Sequence, residues 1–221
     1  MDLIEAIQSR KSIRGFRPDP VPKNVLKEII EIASRAPSSL NTQPWECTVV
    51  AGDVIEKIKQ GSVEQFASGV APHPETVWHE GLEGKYRKRQ VALGIQLYQL
   101  MDIGREDREK KIDWVKRGFR FFDAPAAIIL SIDESARDVA QFDIGTITQT
   151  IALAAMNYGL GTCIQGQGIM YPEVIRKFTG IPETKRLSIN LAIGYPDWDF
   201  PANKVQSERE SIEITTTWCG I

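Results

Sequence analysis

The segment from 138 to 158 constrains the fold more than any other. Ala140, Ile144, Ile147, Ile151 and Ala154 recur at helical spacing, and Gly159 stands where a helix ends in a left-handed cap. A helix this apolar is a buried one. Residues 2–9, with Leu3, Ile4 and Ile7 on one face, and residues 23–35, with Leu26, Ile29, Ile30 and Ala33, follow the same period and read as amphipathic helices. Pro22 sits where a helix start tolerates it. A further helix is predicted over 53–67. Residues 77–119 are rich in helix formers around an apolar stripe of Leu93, Leu97, Leu100 and Met101, and the alternating charges of 105–111 read as a solvated face.

Short β-branched runs at 46–51 (ECTVVA), 126–132 (AAIILSI) and 187–195 (LSINLAIGY) read as strands. The tail run SIEITTT is predicted to add an edge strand or an exchanged one. Residues 36–44 form a loop. Residues 69–76 (GVAPHPET) carry two prolines and no apolar period, which predicts a mobile connection. Helices outnumber strands, and neither a GxGxxG nor a GxxxxGK[ST] turn occurs. The expected class is therefore α+β, as one domain over 1–221 with an insert at about 70–120.

Composition narrows the function by exclusion. A formal net charge of -2 and a pI near 5.8 give no overall positive field, so nucleic acid is not an expected partner. No run approaches the roughly 20 apolar residues of a membrane span, and residues 1–16 hold no apolar stretch of signal-peptide length, so a cytoplasmic protein is expected. Cys47, Cys163 and Cys219 are far apart and suit reduced thiols. His73 and His79 have no further His or Cys at ligand spacing, so no metal site is expected. Triad and histidine acid-base schemes lack their parts.

Three segments remain as candidates for chemistry. In SRKSIRGF, Arg10, Lys11, Ser12 and Arg14 place three cations and a hydroxyl within five residues, and arginine offers a planar fork for phosphate. The same composition suits a solvated basic turn. In APSSLNTQPW, residues 36–45, hydroxyls and carboxamides lie between Pro37 and Pro44, which suits the edge of a heteroaromatic ring; a helix-ending turn is the alternative. In GLGTCIQGQG, residues 159–168, glycines allow close backbone approach to a ligand around Cys163, Ile164 and Gln165, or simply a turn.

Taken in order, RKSIRGF, APSSLNTQPW, CIQGQG and AIGYPD resemble the motif series of nitroreductase-family flavoenzymes across nearly the whole chain. The resemblance implies a central mixed, mostly antiparallel sheet flanked by helices, in an intertwined homodimer whose C-terminal extension reaches the partner. It implies FMN at the subunit interface, with NADH or NADPH as electron donor. Arg10, Lys11, Ser12 and Arg14, with Arg209 from the tail, would grip its phosphate and ribityl chain. Pro37, Ser38, Ser39 and Asn41 would reach it from the partner, and Ile164, Gln165 and Gly166 would lie against the ring. No catalytic side chain is then required, because the flavin accepts and donates the hydride in ping-pong turnover.

The insert resembles the branch with nitrobenzoate reductases and iodotyrosine deiodinases, and implies a lid. Trp78, Lys85, Tyr86 and Arg89 are its candidate substrate contacts, an aromatic wall and cations for a small aromatic acceptor; an ordinary amphipathic helix is the plainer reading. Arg117 or Arg120 is a further possible flavin contact. Nitroaromatic or quinone reduction is the expected activity, with reductive dehalogenation of a halophenol, or a non-enzymatic flavin-binding or redox-sensing role, as alternatives.

Overall fold

An apolar run without alternation needs cover on both faces, and the two such runs become the central strands of one sheet. The computed structural model describes residues 2–76, 81–136 and 139–221. Among these residues the strands are β1 (Trp45–Ala51), β2 (Ala126–Asp133), β3 (Gly161–Gln165) and β4 (Lys185–Gly194). They pair antiparallel in the order β1-β2-β4-β3. The helices are α1 (Leu3–Ser9), α2 (Lys23–Ala33), α3 (Gly52–Ala67), α4 (Gly84–Leu100), α5 (Arg108–Phe119), α6 (Val139–Met156), α7 (Pro172–Thr179) and the single turn α8 (Ile212–Thr215).

Side chains of β2 alternate between two cores. Ala126, Ile128, Leu130 and Ile132 join Leu191 and Ile193 of β4 beneath α2 and α6, where Leu26, Ile29, Ile144, Ile147 and Ile151 are buried. Ala127 and Ile129 join Leu187 and Ala192 on the other face, beneath Ile55 and Ile58 of α3 and Ile175 of α7. Each leucine or isoleucine among them contributes about 1.5–3 kcal/mol by leaving water. Local chemistry sets the helix ends. Asp2 accepts from the Ile4 and Glu5 amides at 2.7 and 3.1 Å, Asp107 accepts from Lys110 at 3.0 Å, and Gly180 ends α7 at φ 73°.

The structure departs from the sequence expectation in three places. Residues 161–165 are a strand, not a loop, because β4 supplies their hydrogen bonds. The tail run read as a strand contains the one-turn helix α8, which begins where the Ser211 hydroxyl accepts from the Glu213 amide at 3.3 Å. Residues 70–76 are fastened rather than loose. Tyr171 donates its hydroxyl to Val70 O at 2.9 Å, Glu75 holds Arg176 at 2.5 Å and accepts from the Leu187 amide at 2.7 Å, and Thr76 donates to Leu187 O at 3.0 Å. His73 joins them, with Nε2 2.8 Å from Glu173. No helix among the described residues is long and apolar enough to cross a membrane.

Candidate functional site

β3 has a strand on one side only, and the N-terminal basic segment lies along its other edge. Ser12 forms a parallel bridge with Thr162, and the Ile13 amide donates to Thr162 O at 2.9 Å. The backbone is then clamped from behind. The buried Asn203 accepts from the Arg14 amide at 2.6 Å and the Gly15 amide at 3.2 Å, and donates to Gly15 O and Asp197 O at 2.7 Å each. Arg117 donates to Arg14 O at 3.1 Å.

This Arg117 is held by Asp123 at 2.6 Å and lies 4.6 Å from the centre of the Phe200 ring. Burial pushes its guanidinium below the ordinary value, and the Asp123 carboxylate opposes that shift. Arg120 pairs with the same carboxylate at 2.6 Å. Both arginines therefore brace the turn at Phe121, Phe122 and Asp123, whose φ values of 54°, 54° and 61° are left-handed and cost about 1–2 kcal/mol per residue. Phe122 also meets the Arg14 guanidinium, 5.9 Å from its ring centre.

With its main chain fixed in this way, the basic segment faces a groove of about 690 Å³. Arg10, Lys11, Ser12 and Arg14 line it together with Arg209, which arrives from the other end of the chain. Four cations and no carboxylate line this groove among the described residues. Drawing like charges together without a counter-charge is unfavourable, so the donor set matches a phosphate-bearing ligand, with Ser12 as a short hydroxyl donor. The phosphate end of FMN passes this test.

The second predicted segment does not line that groove. Its backbone is tied to α6, where the buried Asp143 carboxylate accepts from the Ser39 amide at 3.2 Å and Thr146 donates to Pro37 O at 2.8 Å. Gln43 donates its amide to the Ser38 hydroxyl at 2.9 Å. The loop thereby projects outward, with Leu40 and Asn41 at φ 52° and 58° and Leu40 96% exposed.

Ile164, Gln165 and Gly166, the third predicted segment, close β3 just beyond the bridge to Ser12. Gln165 lies opposite Asn190 on β4. Both side chains are buried, and among the described residues their amide oxygens and nitrogens have no hydrogen-bond partner. Cys163 beside them is also buried, which raises its thiol above the ordinary value. It packs in the core beneath α3 and α7.

Of the lid candidates, Lys85, Tyr86 and Arg89 lie on α4. Tyr86 is exposed, with the Lys85 ammonium 5.5 Å and the Arg89 guanidinium 5.9 Å from its ring centre. Arg89 is not free, because Glu210 of the tail holds it at 2.6 Å. Trp78 lies outside the described residues. The sequence reading missed Asn203 and Asp143. Neither sits in a motif, and each acts on backbone more than one hundred positions away, so no local signal marks it.

An antiparallel core sheet between helices, with a cationic groove at the segment that bridges one edge strand, defines a class of α+β proteins. The chain belongs to the Nitroreductase family, whose sequence model matches residues 7–195. It is similar to the nitrobenzene nitroreductase of Ectopseudomonas oleovorans, 32% identical over 97% of this chain and 95% of that one. It is also similar to the 4-nitrobenzoate reductase of Pseudomonas putida, 30% identical over 99% and 96% of the two chains. Among solved structures, the FMN and NADPH-dependent nitroreductase NfnB from sphigopyxis sp. strain HMH superposes with a TM-score of 0.95 at 30% identity, covering 100% of both chains.

Proposed function

We propose that this chain is an FMN-dependent oxidoreductase that uses NADH or NADPH to reduce nitroaromatic, quinone or similar electron-poor small molecules. The observation that carries the reading is the acid-free groove joining Arg10, Lys11, Ser12 and Arg14 to Arg209. When bound, FMN supplies the redox chemistry, taking up a hydride and passing reducing equivalents to the acceptor. The chain's own residues bind and orient. Arg10, Lys11, Arg14 and Arg209 neutralise the phosphate, Ser12 donates to it, and the Asn203 clamp keeps the Arg14 backbone from yielding.

Ile164, Gln165 and Gly166 are proposed to meet the ring at the end of β3. Pro37, Ser38, Ser39 and Asn41 are proposed to reach it from a second copy of the chain, which fits their outward projection and their absence from this protomer's groove. A homodimer also accounts for exposed apolar side chains on α1 (Leu3, Ile4, Ile7), α6 (Phe142) and the tail (Ile212, Ile214, Trp218). Residues 70–120 serve as a lid in this reading, with Tyr86 and Lys85 as its acceptor-facing pair. Free thiols at Cys47, Cys163 and Cys219 suit a cytoplasmic setting.

The test is an absorbance spectrum of the purified protein, followed by anaerobic titration with NADH and NADPH and then addition of nitrobenzene or 4-nitrobenzoate. Flavin bands that bleach with the reductant and return with the acceptor are expected. A protein that takes up no FMN overturns the proposal. A monomer in sedimentation that still holds FMN tightly overturns the shared site.

A further inference from the structure

Residues 206–221 carry Arg209 yet have few ties to the rest of the molecule. Among the described residues, one side-chain pair supplies every hydrogen bond and ion pair between this tail and the remainder of the chain: Arg89 Nη2 lies 2.6 Å and Nε 3.0 Å from Glu210 Oε1. The other polar contacts of the tail are internal. Arg209 itself donates to Ser207 and to Glu208 O at 3.0 Å.

Both partners of the pair adjoin the groove. Arg89 is one turn before Leu93 on α4, and Leu93 lines the groove. Glu210 follows Arg209, which also lines it. Leu93 and Leu97 also pack with Val205, where the chain enters the tail. The lid helix thus meets the tail through an apolar contact at its root and an ionic one at Glu210, next to the arginine that lines the groove.

We propose that Arg89 and Glu210 form a latch, with Glu210 as a positioning residue that ties the tail to the lid helix and so sets Arg209 over the groove. This rests on the groove taking the FMN phosphate. Electrostatics alone makes the opposite prediction for Glu210. A carboxylate beside a phosphate site repels the ligand, so its neutralisation would tighten binding unless its main effect is to hold Arg209 in place.

The test uses the full-length apoprotein titrated with FMN and with riboflavin, read by flavin fluorescence, for Arg89→Gln, Glu210→Gln, the double variant and the charge swap Arg89→Glu/Glu210→Arg. Each single change is expected to weaken FMN roughly three- to fivefold, the scale of an exposed ion pair. Riboflavin affinity and the apoprotein melting temperature should stay unchanged. The double variant should bind no worse than either single one, and the swap should recover most of the loss. Glu210→Gln binding FMN more tightly, single losses that multiply in the double variant, or no change in any variant would overturn the latch. A wild-type apoprotein that binds riboflavin as tightly as FMN would instead remove the phosphate reading beneath it.

Discussion

The Asn203 side chain accepts from the Arg14 amide at 2.6 Å and, through the same oxygen, from the Gly15 amide at 3.2 Å. One carboxamide near the C-terminal end of the fold therefore fixes the direction in which the N-terminal basic segment faces. Replacing it with alanine leaves the two amides unpaired, while the Gly15 and Asp197 carbonyls keep the Asp197 and Phe200 amides as donors, and each buried group left unpaired costs about 1–3 kcal/mol. Asn203→Ala is expected to lower the melting temperature of the apoprotein by several degrees, at about 2–4 °C per kcal/mol, and to weaken FMN binding. Calorimetry and a fluorescence titration check the two effects.

Arg14 separates binding from stability. Its main chain is held by Asn203 and Arg117 whatever its side chain, so Arg14→Ala is expected to fold. Loss of one charge-assisted phosphate contact, about 1.5–3 kcal/mol, should weaken FMN roughly ten- to hundredfold. An unchanged FMN dissociation constant would reject the assigned role.

Gly15 has no room for a side chain. A Cβ there would sit 2.1 Å from Cγ of Phe200, the ring on which Arg117 rests. Gly15→Ala is expected to destabilise the apoprotein by about 1–3 kcal/mol. Combined with Phe200→Gly, the loss should be smaller than the sum of the two single losses, because the change removes the ring together with the Phe200 Cβ that lies 2.4 Å from the added methyl. Additive losses in urea unfolding would show that the two residues do not oppose each other.

His73 makes the 70–76 connection sensitive to pH. Its pKa is raised above the ordinary 6.5 by the Ala71 carbonyl first and then by Glu173. A group whose folded pKa is raised adds stability that is complete below the unfolded value and disappears as pH climbs through the folded one. The melting temperature of the wild type minus that of His73→Gln is therefore expected to be largest below about 6.5 and to shrink on the alkaline side. A difference that grows with pH would reverse the assignment.

Most helices were legible because apolar periodicity is a local property. Leu26 and Ile29 of α2, and Ile144, Ile147 and Ile151 of α6, reach the core as their spacing predicts. What remained illegible depends on partners distant in the chain. β3 reads as a glycine loop because nothing in GTCIQ reveals that β4 will pair with it on one side and Ser12 meet it on the other. The prolines of GVAPHPET describe a break in helix, while the order of that segment comes from Tyr171, Glu173 and Arg176. Motif residues announced the basic side of the groove. They gave no sign of Asn203, or that Arg89 would be engaged by Glu210.

The bridge between Ser12 and Thr162 has a consequence for solubility. A strand with an open side is a template on which another molecule can build, and β3 would be one if residues 10–14 were absent. Ser12 and Ile13 occupy that side at Thr162, and Arg10, Lys11 and Arg14 flank the contact with positive charge. A chain trimmed past Arg14 is accordingly expected to clump edge to edge on warming, while one with the basic segment present but its charges neutralised should stay dispersed and merely bind poorly.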